Sequence, residues 1–157
     1  MAKCTIVNQV FSPLTKSYVI TKPGLVIGST TTDVANVAFD YIIEGVQYSK
    51  AAVAAGTAPG DDVVPQDTYG AVAFDIGTNG TIDAIEAPNN ATGYASAALA
   101  VAALPAVADS HARMGWVTAT KSDGDFTFGT TDLNAANTTV AYTDADTMWE
   151  VIISNIS

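Results

Sequence analysis

The sequence is short of the residues from which most recognisable active centres are built. Its 157 residues include one cysteine and one histidine, which leaves almost nothing for a zinc site, a disulfide framework or a histidine-based triad. Basic residues are scarce as well: six Lys plus Arg stand against sixteen Asp plus Glu, a formal charge of −10. A phosphate backbone demands a basic face, so no nucleic acid is expected as a partner, and an anionic membrane surface is disfavoured for the same reason. Long apolar runs are missing too. The most apolar stretch, residues 94–108, contains Pro105 and falls short of the ~20 residues a membrane span requires. The start Met-Ala-Lys-Cys-Thr-Ile-Val-Asn has no apolar core followed by a small-residue cleavage site. The expectation is a soluble chain made in the cytoplasm, without membrane contact.

What is present is enough apolar material for one real core: 48% of the residues are hydrophobic and only 14% charged. The mean hydropathy of +0.25 is high for a soluble monomer, and the usual place to hide the excess is a subunit interface, so a homo-oligomer is expected. Alanine, which buries little area, accounts for part of that value. The charge is laid out unevenly. Every acidic residue lies at Asp33 or later, and Lys3, Lys16 and Lys22 are the only charges before it. The chain therefore divides into an extended N-terminal arm with short strands, residues 1–32, and a single β-rich domain, residues 33–157. On this reading Lys3, Lys16 and Lys22 bind an acidic partner or the acidic body of a neighbouring subunit. The alternative is three lysines scattered on ordinary strands, where an exposed ion pair is worth only about 0–1 kcal/mol.

Local patterns predict many short strands. Ser17–Thr21 and Leu25–Ile27 flank the turn Lys22-Pro23-Gly24. From Val37 onward the residues alternate, with Val37, Phe39, Tyr41 and Ile43 on one face and Asp40 and Glu44 on the other, as in a half-buried strand that enters a Glu44-Gly45 turn. Ser49 then caps a short alanine helix, Lys50–Ala55, which Gly56 and Pro59 stop, and residues 56–66 read as an exposed loop. The clearest signal is a β-hairpin, Val72–Ile76 and Thr81–Ile85 joined through Gly77-Thr78-Asn79-Gly80. A helix within Ala91–Leu104 ends at Pro105, with its small alanines set close against a sheet. A second hairpin pairs Gly115–Thr120 with Phe126–Phe128, and Thr138–Tyr142 and Trp149–Ile153 supply two last strands. The fold class is mainly β: a β-sandwich or barrel-like body of short antiparallel strands with one or two short Ala-rich helices.

Candidate chemistry is sparse. Asp123-Gly124-Asp125 and Asp144-Ala145-Asp146 space two carboxylates as a hard cation would use them, but neither continues into a full calcium loop; Asp61-Asp62 is weaker. These read as polar turn residues, with no metal and no cofactor expected. In Asp109-Ser110-His111 three neighbours cannot converge in relay geometry, and no Gly-x-Ser-x-Gly elbow exposes a serine. Cys4 reads as an ordinary thiol. The Asn-x-Ser/Thr sequons at Asn79, Asn90, Asn137 and Asn155 follow from an Asn- and Thr-rich composition. A polysaccharide hydrolase would have to draw its acid pair from Asp123, Asp125, Asp144 and Glu150, and turn-borne aspartates rarely occupy the apolar pocket such chemistry needs. The chain is expected not to be an enzyme.

One stretch carries more. The segment Phe39–Ala52, a Phe-x-Tyr-x-x-x-Gly-x-x-Tyr pattern followed by Lys-Ala-Ala, resembles a module of structural proteins in tailed bacteriophages. Tyr69–Asp75 with its Asn-Gly hairpin, the alanine run ending Ala103-Leu104-Pro105-Ala106, Met114–Val117, and Asp125–Thr127 to Leu133 follow in the same order. The resemblance spans roughly residues 37–144 and implies a virion component, commonly a head decoration, head fibre or tail-associated protein, with no catalytic residues to carry over. It leads to the expectation of a capsid decoration or cement protein on the capsid surface, an oligomer for which a trimer is a natural form, bound to the phage's major capsid protein. The second expectation is a head-fibre or tail-associated protein whose aromatics Trp116, Tyr94 and Tyr69 meet a host-surface glycan, against the simpler reading of those rings as core packing.

Overall fold

Alternating apolar and polar residues can bury one face of a strand, and in this chain they do so in several short pieces rather than a few long ones. The computed structural model describes residues 17–154. Among them the chain forms β1 (Tyr18–Val19), β2 (Val26–Ile27), β3 (Val34–Asn36), β4 (Phe39–Ile43), β5 (Val46–Lys50), β6 (Val53–Thr57), β7 (Val63–Val64), β8 (Gly70–Gly77) and β9 (Ile82–Glu86). The helix α1 (Ala97–Ala102), the strands β10 (His111–Lys121), β11 (Phe126–Thr127) and β12 (Thr138–Asp144), and the helix α2 (Met148–Ser154) complete it. All pairings are antiparallel, and the sheets run β12-β10-β8-β9, β1-β4-β5, β2-β3-β6 and β11-β7. The mainly β expectation holds; no sheet closes into a barrel. No helix among the described residues is long and apolar enough to cross a membrane.

The core lies between two sheets. Val19, Phe39, Tyr41 and Ile43 from the β1-β4-β5 sheet share one buried cluster with Val72, Phe74 and Ile76 of β8 and with Ala112, Met114, Val117 and Ala119 of β10. The Tyr41 hydroxyl crosses this core and donates to the Gly77 carbonyl at 3.2 Å, so the one polar atom of that ring is satisfied where burial would otherwise penalise it. In β10 the inward residues change from even to odd numbers. A β-bulge between Arg113 and Gly115 inserts one residue and re-phases the strand, keeping both halves on the same core. Gly115 permits it, because a Cβ there would lie 2.2 Å from the Thr143 carbonyl oxygen.

β8 is buried along its whole length because its other face is covered too. Ala71, Ala87 and Ala100 form a second cluster beneath α1, sealed by Tyr69, Tyr94, Val101 and Leu104. Small side chains let the helix sit close to the sheet. Ser96 caps it, its hydroxyl accepting the Leu99 N–H at 3.3 Å. Asp75 of β8 is buried on this face, opposite Arg113 of β10. The guanidinium grips the carboxylate through two nitrogens and donates to the Pro105 carbonyl at 2.8 Å, just past the helix end.

Several local expectations are corrected. Lys50–Ala55 is no helix: β5 runs to Lys50 and β6 begins at Val53, where β3 pairs with it and the Ala54 carbonyl accepts the Ser29 N–H at 2.9 Å. The presumed loop 56–66 holds β7. Phe126–Thr127 pairs with β7 and not with β10, because both edges of β10 are already taken, one by β8 and the other by β12. The helix within Ala91–Leu104 is only Ala97–Ala102, its approach being spent on a Tyr69–Tyr94 bridge. Trp149–Ile153 is helical, within α2. Val37, expected on the buried face, is 51% exposed.

Candidate functional site

Of the three lysines singled out, Lys3 and Lys16 lie outside the described residues, and Cys4 and Asn155 do as well. Lys22 follows β1 in a turn where Gly24 adopts a φ of 61°. Its ammonium lies 3.2 Å from the Glu150 carboxylate of α2, with both side chains nearly half exposed. Glu150 is itself part of a capping box: it accepts the Thr147 N–H at 2.6 Å, while its own N–H donates to the Thr147 hydroxyl at 3.4 Å. The Thr147 N–H and hydroxyl, with Lys22, hold the Glu150 carboxyl below its usual range. The Leu25 N–H donates to Asp144 at 2.9 Å, a second tie between this segment and the region just before α2.

These ties join the Lys22 turn to α2, and each side carries exposed apolar side chains. Val37 packs at the turn, its N–H donating to the Pro23 carbonyl at 2.8 Å and its methyl 3.1 Å from where a Gly24 Cβ would lie. Trp149, next to Glu150, is 58% exposed. Ile153, one helical turn on, is exposed too. The patch Lys22, Val37, Trp149 and Ile153 thus comprises exposed residues of the turn after β1, the lead into β4 and, through the Lys22–Glu150 pair, helix α2. Sequence reasoning placed Val37 in the core and Trp149 on a strand, so only Lys22 was marked in advance. The signal that would have found the rest is Thr147-Met148-Trp149-Glu150, a capping-box pattern that announces a helix.

The other described cations are likewise paired within the chain. Lys50 donates to the Gly80 carbonyl at 2.7 Å, Arg113 holds Asp75, and Lys121 pairs with Asp123. Of the aspartates considered as cation ligands, Asp123, Asp125 and Asp144 accept hydrogen bonds from within the chain. Asp123 accepts from Lys121 and, at 2.8 Å, from the Asn137 amide, and those two bonds hold its carboxyl below the usual range. Asp125 accepts the Gln66 N–H at 3.1 Å, and the Asp61 and Asp62 N–H groups both donate to Glu86. Among the described residues no group of three or more His, Cys, Asp or Glu side chains gathers as a metal site would.

His111 does acquire a serine and an aspartate, but not as a run of neighbours. Its Nδ1 lies 3.1 Å from the Ser110 hydroxyl and its Nε2 3.1 Å from Asp83 of β9. The ring reaches that far because Gly77, its register partner on β8, has no side chain in the way. Asp109 is not part of the set. The arrangement straps β10 to β9 across β8, with Ser110 exposed. Of the rings considered as glycan platforms, Tyr69 and Tyr94 pack over the Ala71–Ala100 cluster, and Trp116 is half-buried on β10. Comparison with protein-family models finds no match, and comparisons with curated proteins and with solved structures find none either.

Proposed function

We propose that this chain is a non-enzymatic structural protein of a tailed-phage virion, a capsid decoration or cement protein that binds the assembled head as an oligomer and stabilises it by bridging subunits. The observation that carries the reading is the patch around Lys22. Its Lys22–Glu150 pair ties the turn of the basic segment, with the exposed Val37 beside it, to the helix that carries the exposed Trp149. An aromatic anchor, aliphatic neighbours and a rim charge are the elements of a protein-docking surface. The resemblance of residues 37–144 to phage structural modules names the kind of surface it would meet.

The test is co-sedimentation with heads stripped of minor proteins, comparing the full chain with Trp149→Ala, Lys22→Glu and a chain lacking residues 1–16. Removal of everything before Asp33 is not the right truncation, because Val19 and Leu25 are buried in the core. Trp149→Ala is expected to weaken binding at least tenfold, the effect of losing a central aromatic anchor, and Lys22→Glu to weaken it and flatten its salt dependence. Equal binding by all variants would refute the role of this patch. A second reading, a head-fibre or tail-associated protein contacting a host-surface glycan, draws on the exposed Trp149 indole. It takes over if stripped heads bind nothing and host cells adsorb the protein.

A further inference from the structure

The two edges of the four-stranded sheet are finished differently. At β9, Asp83 is held by His111, and Glu86 accepts the N–H groups of Asp61 and Asp62 at 2.9 and 2.8 Å, tying a loop to that strand. At β12, no described strand pairs with the outer side. The ladder to β10 shows which backbone groups face that way. The Ser122 N–H donates to the Asn137 carbonyl at one end, and the Ala145 N–H to the Met114 carbonyl at the other. Between them the register runs unbroken from Lys121↔Thr138 to Gly115↔Asp144. Alternation in an antiparallel pair then assigns Thr139, Ala141 and Thr143 to β10 and turns the N–H and C=O of Val140 and Tyr142 outward. Edge strands are ordinarily guarded by charge, proline or a bulge. Residues 138–143, Thr-Thr-Val-Ala-Tyr-Thr, have no charge and no proline, and their ladder has no bulge.

We propose that this edge pairs with β12 of a second copy of the chain, antiparallel, about a twofold axis through Ala141. The inference rests on the oligomeric part of the function proposed above and names its contact. The strand's own sequence argues for a second copy as the occupant: about Ala141 it is self-complementary, and because residues 138–143 are uncharged, two chains that each carry −10 can pair here without setting carboxylates against each other. The register centred on Ala141 sets Val140 opposite Tyr142 and Thr138 opposite Asp144, so Asp144 meets a threonine and not itself. Ala141 then faces its own copy in a non-hydrogen-bonded pair, where Cα atoms approach to about 4.5 Å and the side chains lie close together. Thr139 meets Thr143, a favourable cross-strand pair. The two four-stranded sheets become one.

The test uses the full chain with Cys4→Ser, into which Ala141→Cys or Thr139→Cys is introduced, together with sedimentation equilibrium of the unmodified chain and of Ala141→Arg. Expected are an even-numbered oligomer, a disulfide-linked dimer from Ala141→Cys under mild oxidation with little from Thr139→Cys, and at least tenfold weaker association of Ala141→Arg at unchanged melting temperature. Ala141 is exposed, so the substitution leaves the fold intact. A chain that stays monomeric at every concentration overturns the oligomeric reading and this inference together. A trimer, or an oligomer that survives Ala141→Arg without crosslinking at position 141, overturns the edge pairing alone.

Discussion

Replacing Asn90 should damage this protein far more than its place in a loop implies. The residue is fully buried, and its side-chain amide imitates a strand: Oδ1 accepts the Ala71 N–H and Nδ2 donates to the Ala71 carbonyl, each at 3.0 Å. In Asn90→Ala the carbonyl keeps a partner, because it also accepts the Ala87 N–H at 3.0 Å. The Ala71 N–H keeps none, and a buried orphan donor costs about 1–3 kcal/mol. With the packing lost from the vacated space, the expected destabilisation is about 2–4 kcal/mol. For a chain of this length that lowers the melting temperature by about 5–15 °C. Urea and thermal unfolding followed by circular dichroism read it directly. Asn90→Asp keeps the shape but puts a carboxylate beside the Ala71 carbonyl, so its penalty should match or exceed that of alanine and grow as pH rises. A change within about 0.5 kcal/mol for Asn90→Ala would refute the strand-mimic account. The same burial explains why the Asn90 sequon has no acceptor amide to offer.

Three further outcomes are expected. Arg113→Met leaves the buried Asp75 carboxylate without its cation and should cost about 3–5 kcal/mol in urea unfolding, much of it recovered when Asp75→Leu is added. Gly115→Ala drives a methyl to within 2.2 Å of the Thr143 oxygen and should cost at least about 2 kcal/mol, with hydrogen-exchange protection lost first along β12. Acid should loosen α2: the Glu150 carboxyl is held below its usual value of 4.5 by Thr147 and Lys22. Its cap therefore contributes fully above about pH 4.5 and fades as pH falls below it. Trp149 fluorescence should report that transition, and an unchanged titration in Glu150→Gln would contradict it.

How much was legible depended on where the deciding contacts lie. The β8–β9 hairpin was readable because Asn79-Gly80 and two alternating runs specify it locally; Gly80 has a φ of 75°. The β4–β5 turn at Glu44-Gly45 was equally local, both residues having positive φ. By contrast, Val53–Thr57 is a strand only because β3 and Ser29 lie beside it, and Phe126 leaves β10 because β8 and β12 already flank that strand. Such partners are distant in sequence and leave no periodic trace. The Lys22 patch was one-quarter visible, since its apolar members gain their setting from a helix whose capping box went unread. The Ser110–His111–Asp83 set was invisible, because its aspartate comes from another strand.

The most direct measurement is the saturation stoichiometry of the purified protein on stripped phage heads across salt concentrations. The account predicts saturable binding at a fixed copy number per shell, weakening as salt rises. Failure to bind heads at any salt concentration would contradict it.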